Sequence, residues 1–453
     1  MSNVNRRRFF GAAAATVTAG PLGLLAYSEG AIAKTDAQRA GSDKTAVRPF
    51  RVSVSESTVT EMRSRIGATI WPDRETVDDT SQGVPLAMIQ DLASYWVKNY
   101  DWRKCETKLN ALPQFMTEID GLDIHFIHVR SKHENALPLI VTHGWPGSIV
   151  EQLKIIEPLT DPTAHGGSVS DAFHIVIPSI PGYGFTEKPR ETGWDTARTA
   201  RAWAMLMDRL GYTQYVAQGG DLGSVVTTLM GEQAPPGLLG IHTSLPATVP
   251  PDIAKALTCG DPAPSGLSTD ESRAYEQLQG LYAKHFAYAA FMRQRPQTLY
   301  GLVDSPVGLA AWLLDHGDGD GQPASAVVSA VSGHTVNGRT AGALTRDDVL
   351  DNITLYWVTR TGISAARSYW ENKVSPFNAA NVAIPVAVTV FPSEIYEAPR
   401  SWAQRSFKNL IYFHVAAAGG HFAAWEQPLI FSEELRAGFS PIRKSVTGMN
   451  GPY

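Results

Sequence analysis

A chain of 453 residues, 43% hydrophobic and 18% charged, has apolar content for a large buried core, and its length argues for one core domain with additions. The net charge of −5 offers no basic footprint for nucleic acid. Beyond the N-terminus no apolar run is long enough for a membrane span, and Cys105 and Cys259 lie in separate segments and make no disulfide framework.

Asn5-Arg6-Arg7-Arg8-Phe9-Phe10 precedes an Ala/Gly-rich run to Ala26, and Ala31-Ile32-Ala33 has the A-x-A form of a cleavage site. Residues 1–33 read as a twin-arginine export signal, which predicts a secreted or periplasmic protein without stable membrane association after cleavage. Losing three arginines and one glutamate takes the net charge to −7. Residues 34–47 are small and polar and read as a linker.

Residues 48–135 form the next region. Thr58-Val59-Thr60-Glu61 has capping-box form, with Val59, Met62 and Ile66 on one helical face. From Pro85 onward, Leu86, Ile89, Ala93, Trp96, Val97 and Tyr100 follow helical spacing. Asp120-Gly121, between the segments 115–119 and 122–129, marks a hairpin, because this pair tolerates the positive φ of a primed turn.

From Leu137 short apolar runs alternate with helical patterns: 137–141, 173–177, 215–217, 238–241, 384–391 and 410–415. Ala200, Trp203, Ala204, Met207 and Leu210 form one helix face, which Gly211 ends. Such alternation predicts an α/β fold, a mostly parallel sheet flanked by helices. Its two parts are 136–243 and 377–440. Between them 244–376, rich in helix formers and aromatics, reads as a helical lid, with a Gly/Asp/Ser-rich loop at 317–332. Residues 441–453 read as a frayed tail.

The chemistry centres on Asp221. The apolar run 215–217 stops at Gly219-Gly220, and a helix pattern with Leu222, Val225, Val226, Leu229 and Met230 follows. Gly219 and Gly223 flank Asp221 with the G-x-nucleophile-x-G spacing of the strained elbow in α/β-hydrolases. A carboxylate there attacks a carbon electrophile, such as an epoxide or alkyl halide carbon, and gives an ester that an activated water must hydrolyse. Read alone, Gly-Gly-Asp-Leu-Gly is also an ordinary turn.

Glu394 follows the run 384–391, and His421, in Gly419-Gly420-His421-Phe422, follows 410–415. Both fall at C-terminal strand ends, where open α/β sheets place their sites, in the order nucleophile, acid, histidine. In these roles His421 deprotonates the hydrolytic water and Glu394 holds its tautomer. His143-Gly144-Trp145-Pro146-Gly147-Ser148 follows the first parallel strand. By analogy with the oxyanion loop of this fold, the amides of Trp145 and Leu222 face the developing oxyanion, and His143 is a structural strut. No spacing indicates a metal, and no dinucleotide or pyridoxal fingerprint indicates a cofactor.

His143 to Ser148, Gly219 to Ser224, Asp304-Ser305-Pro306-Val307-Gly308-Leu309-Ala310-Ala311-Trp312 and Gly419 to Pro428 together resemble the microsomal-type epoxide hydrolases, which carry an extra N-terminal region before an α/β-hydrolase core. The likeness runs from about Arg48 to Arg436. It implies an Asp nucleophile, a Glu–His pair and two lid tyrosines that hydrogen-bond to the epoxide oxygen. Those lid positions match Tyr288 and Tyr369, with Tyr282, Tyr300 and Tyr356 as nearby rivals. Animal members keep an N-terminal membrane anchor where this chain has its export signal.

The resemblance implies hydrolysis of a small apolar epoxide to a vicinal diol. A haloalkane dehalogenase also uses an Asp nucleophile, but that chemistry wants Trp directly after it, and Leu222 stands there. A serine esterase needs Ser at 221. A catalytically silent binding protein of the same fold is the alternative from another class. Trp145, Phe185, Trp312, Trp370 and Trp425 predict an apolar, aromatic-lined pocket.

Overall fold

The computed structural model describes residues 43, 45–372 and 377–449; the expected export signal and most of the expected linker lie outside them. The strands are β1 (Arg48–Phe50), β2 (Gln114–Ile119), β3 (Leu122–Val129), β4 (Leu137–Thr142), β5 (Phe173–Pro178), β6 (Tyr215–Gly219), β7 (Leu238–Thr243), β8 (Val382–Val390) and β9 (Phe407–Val415). They form one sheet in the order β1-β2-β3-β5-β4-β6-β7-β8-β9. The β1–β2, β2–β3 and β3–β5 pairs are antiparallel, and all pairs from β5–β4 to β8–β9 are parallel. Ile140, Val141, Ile175, Val176, Val216, Ala217, Val386 and Val388 are fully buried. Consecutive buried residues of this kind mark strands covered on both faces, as a parallel sheet requires.

The β2–β3 hairpin turns at Asp120 (φ 50°) and Gly121 (φ 79°), the positive angles expected of Asp-Gly. The N-terminal region differs in detail from its sequence reading. Its first helix, Glu56–Gly67, begins earlier, because the Ser55 hydroxyl rather than that of Thr58 caps it, accepting from the Thr58 N–H at 3.2 Å. A further helix at Trp102–Asn110, capped by Asp101, and strand β1 were not anticipated.

These N-terminal helices brace the lid. The Trp96 indole N–H donates to Thr354 at 3.0 Å, and the Tyr100 hydroxyl donates to Asp351 at 2.8 Å. Both acceptors lie on the lid helix Arg346–Thr359. Within the expected loop 317–332, residues Ser325–Ser332 are helical, since Ala326, Val327, Ala330 and Val331 bury an apolar face. The described part of the expected tail, 441–449, is helical: it continues the helix Pro428–Met449, and Ile442 is buried beyond the supposed boundary. Cys105 is buried, Cys259 is exposed, and both thiols are free. No helix among the described residues is long and apolar enough to cross a membrane.

Candidate active site

Strand β6 passes into the helix Leu222–Gln233 through Asp221 at φ 48°, ψ −126°. A positive φ costs a non-glycine residue about 1–3 kcal/mol, so the surroundings must impose it. They do so by close approach. A Cβ on Gly219 would lie 2.0 Å from the Gly223 carbonyl oxygen, and one on Gly223 would lie 2.1 Å from that of Thr142. The elbow therefore tolerates no side chain at either flank. Ser224 Oγ donates to the Asp221 carbonyl oxygen at 2.6 Å, which ties this serine to the backbone of the turn.

The loop after β4 supplies the electrophilic side. The Trp145 N–H donates to Asp221 Oδ1 at 2.8 Å, and the Leu222 N–H also hydrogen-bonds the carboxylate. Gly144 must lack a side chain, because its Cβ would sit 2.4 Å from Asp221. His143 is the expected strut: buried, its Nε2 accepts from the Ile180 N–H at 3.2 Å, and burial lowers its pKa to about 4. Two lid groups hold the loop from the other side. Asn352 Nδ2 donates to the Pro146 carbonyl and the Tyr356 hydroxyl to that of Gly147, each at 2.8 Å.

Glu394 and His421 stand in the loops after β8 and β9, which a Ser393–Gly420 bridge joins. His421 Nδ1 lies 2.6 Å from Glu394 Oε1, and Nε2 lies 3.6 Å from Asp221 Oδ2. Both side chains are almost fully buried. Burial alone would lower the His421 pKa, but the charge and hydrogen bond of Glu394, with Asp221 and Glu151 nearby, overcome it and push it up to about 9. Burial raises Asp221, while His421 and the two amides pull it down.

Tyr288 sits on the lid helix Ala287–Gln294 and Tyr369 on Gly362–Glu371. The Tyr288 ring stacks on Trp145 with centroids 4.6 Å apart, and Tyr369 meets both rings edge-on, 5.9 Å from Trp145 and 6.2 Å from Tyr288. Burial raises both phenols well above their ordinary pKa, so both are neutral donors. The rivals lie elsewhere. Tyr356 is committed to Gly147, Tyr282 packs on Phe286 and Phe377, and Tyr300 is 66% exposed.

A cavity of about 760 Å³ opens on Asp221, Tyr288 and Tyr369. Its apolar wall is Leu222, Val225, Leu229, Leu245, Phe286 and Phe377. None of the five aromatic candidates read from the sequence lines it; the expected aromatic lining comes instead from Phe286, Tyr288, Tyr369 and Phe377. Trp145 is 1% exposed beneath Tyr288, and Phe185 packs on Phe50 and His125. Trp312 meets Phe291, Trp370 faces a separate surface groove, and Trp425 packs on Phe422.

Two further residues reach the site. His316, buried at the end of the lid helix Pro306–Leu314, stacks on His421 with centroids 4.4 Å apart; burial first, then His421, holds it well below its ordinary pKa. Ligand atoms of Asp221, His316 and His421 lie within 4.8 Å of one another, the one group among the described residues close enough to hold a metal ion. Glu151, three residues past Ser148, carries its carboxyl beside the same centre. Glu151 shares the stretch 149–156 with Gln152 and Lys154, so no local signal marked it, and nothing local marked His316.

An epoxide hydrolase N-terminus model matches residues 47–152, and an α/β hydrolase fold model matches 138–286. A protein of Stigmatella aurantiaca (strain DW4/3-1), provisionally named an epoxide hydrolase, is 48% identical over 399 residues, 88% of this chain and 86% of its own length. Epoxide hydrolase 1 of Oryctolagus cuniculus is 33% identical over 413 residues, 87% of this chain and 89% of that protein. Among solved structures, the juvenile hormone epoxide hydrolase of Bombyx mori superposes with a TM-score of 0.76 at 28% identity, covering 88% of this chain and 95% of that one. The Aspergillus niger epoxide hydrolase gives 0.73 at 28% identity, covering 87% and 96%. With its N-terminal region, α/β-hydrolase core and similarity to these proteins, the chain belongs to the microsomal-type epoxide hydrolase family.

Proposed function

We propose that the protein opens an apolar epoxide to a vicinal diol through a covalent ester on Asp221. The observation that carries this reading is the arrangement of one carboxylate: Oδ1 accepts the Trp145 N–H, and Oδ2 faces the His421–Glu394 pair. Oδ2 attacks an epoxide carbon, the C–O bond breaks, and a proton from Tyr288 or Tyr369 quenches the alkoxide. Water then adds to the ester carbonyl as His421 Nε2 takes its proton. The Trp145 and Leu222 amides stabilise the oxyanion, collapse expels the diol oxygen, which takes the proton from His421, and the proton left on the Asp221 carboxyl restores the tyrosine phenol.

The electrostatics separate the two steps. Asp221 helps to keep His421 protonated before alkylation, and esterification removes that charge. His421 is released to act as a base when water must be activated.

The test is a His421→Gln variant mixed with a generic epoxide and followed by intact mass. The expected result is a stable adduct of substrate mass on the peptide containing Asp221. No adduct at any time point contradicts the assignment. Simple chloroalkanes should release no halide, because Leu222 provides no indole donor for the leaving ion; release at epoxide-opening rates supports the dehalogenase alternative.

We also propose export by the twin-arginine route, from Arg6-Arg7 and Ala31-Ile32-Ala33. The exported protein should begin at Lys34, and replacing Arg6 and Arg7 by lysine should abolish export. An intact Met1 on exported protein contradicts cleavage.

A further inference from the structure

Behind Asp221 lies a second, much smaller space of about 20 Å³, lined by Gly144, Glu151, Gln218, Gly220, Ser244 and His421 among others. Asp221 borders this chamber and also the large cavity that the tyrosines overlook. A space of this size has room for about one water, provided that two to four polar groups meet it there. Those groups are present. Gln218, 1% exposed on β6, has an Oε1 with no hydrogen-bond partner within the protein. Glu151 brings a carboxyl, and His421 brings the imidazole that faces Asp221.

The Glu151 carboxyl is placed by design of the loop. A Cβ at Gly147 would fall 1.7 Å from Glu151 Oε2, so glycine at 147 is what admits the carboxyl. Gln152 Nε2 donates to Glu151 Oε1 at 2.6 Å, and the Gly144 N–H supports the same group. Nothing in the alkylation step uses Glu151.

We propose that this chamber seats the hydrolytic water, and that Glu151 and Gln218 are positioning residues that hold the water between His421 Nε2 and the Asp221 carbonyl carbon. The two half-reactions are then supplied from separate spaces that meet at the nucleophile: epoxide from the large cavity, water from the small one. Burial pushes the Glu151 carboxyl up to about 8, against the pull of His421. The water oxygen bonds to Cγ of the ester, its proton passes to His421, and the Cγ–O bond to the alkyl group breaks. Only the water placement is added to the covalent reading, on which this inference rests.

The two steps are resolved by single-turnover kinetics on Glu151→Leu, Glu151→Gln and Gln218→Met. Glu151→Leu is expected to slow ester hydrolysis about 10-fold or more while changing alkylation by less than about 3-fold, so that ester accumulates at steady state. Glu151→Gln keeps a neutral acceptor and should hydrolyse within about 3-fold of wild type, a rescue that a merely structural carboxyl would not produce. Gln218→Met should slow hydrolysis in the same direction and serves as the test if Glu151→Leu does not fold. Wild-type hydrolysis in Glu151→Leu or, if that variant does not fold, in Gln218→Met, or equal slowing of both steps, overturns the proposal. Absence of any ester in His421→Gln would instead overturn the covalent mechanism, which keeps the two failures distinct.

Discussion

Asp221, Glu394 and His421 leave the ends of three parallel strands, whereas Tyr288 and Tyr369 reach the same point from two lid helices that no strand register holds. The first group is fixed by backbone. The elbow admits only glycine at 219 and 223, the Ser393–Gly420 bridge pairs the two loops, and the 2.6 Å contact between Glu394 and His421 follows. The second group is fixed by ring packing on Trp145. The lid in turn is tied to the N-terminal region, through the Trp96 and Tyr100 hydrogen bonds to the helix whose Asn352 and Tyr356 hold the loop after β4. On the proposed mechanism the strand-end half supplies the covalent chemistry, and the lid half supplies a graded acceleration of one step.

Breaking the first half should be close to absolute. Asp221→Asn removes the attacking oxygen, and single-turnover alkylation should fall by at least about 10⁴-fold, barring slow deamidation back to Asp. Rapid-quench mass analysis checks this, and alkylation within about 10-fold of wild type would show that Asp221 is not the nucleophile.

Breaking the second half should be partial and confined to ring opening. Tyr288→Phe or Tyr369→Phe leaves one phenol in place, so each should slow alkylation by about 10- to 1000-fold, with the double variant far slower. Ester hydrolysis should change little, because the alkoxide has been protonated by then. If both single variants alkylate at wild-type rates, the phenols do not serve the epoxide oxygen.

A pH series sharpens the contrast. Hydrolysis needs neutral His421, whose pKa of about 9 in the free enzyme includes a raising contribution from Asp221. Esterification removes that contribution. The hydrolysis rate of preformed ester should therefore rise with pH and level off below about pH 9, as His421 loses its proton. A rate that falls as pH rises contradicts the role of His421.

The smallest effect is expected from the brace. Tyr100→Phe deletes a buried hydrogen bond to Asp351 and should cost about 1–2 kcal/mol of stability by denaturant titration, with alkylation altered by less than about 3-fold. A larger loss of rate than of stability would mean that the N-terminal region tunes the site directly.

The same division decides how much was legible in the sequence. Asp221, Glu394 and His421 could be read from strand ends, paired glycines and their order, because these are local consequences of the backbone. The helix Gly362–Glu371 shows no periodicity that singles out Tyr369, and Tyr288 was reachable only through the resemblance of the chain to a family. Glu151 lies just past the loop after β4, and His316 reaches the site across the fold. His316 meets His421 because the turn after it docks on the Glu394 loop, where the Gly319 N–H donates to the Ser393 carbonyl at 3.0 Å. The aromatic lining of the cavity was legible as a class and not residue by residue. Large rings such as Trp145 and Trp425 are buried as packing, and the rings at the cavity are Phe286, Tyr288, Tyr369 and Phe377, among aliphatic side chains such as Val225 and Leu245.

The covalent ester on Asp221 is tested most directly by a single turnover of excess enzyme in heavy-oxygen water. On the proposed mechanism Asp221 delivers one of its own oxygens to the epoxide carbon, so the first diol should carry ordinary oxygen, and the label should appear in the Asp221 peptide. Label in the first-turnover diol, with none in that peptide, would mean that water attacks the epoxide directly and would contradict the account.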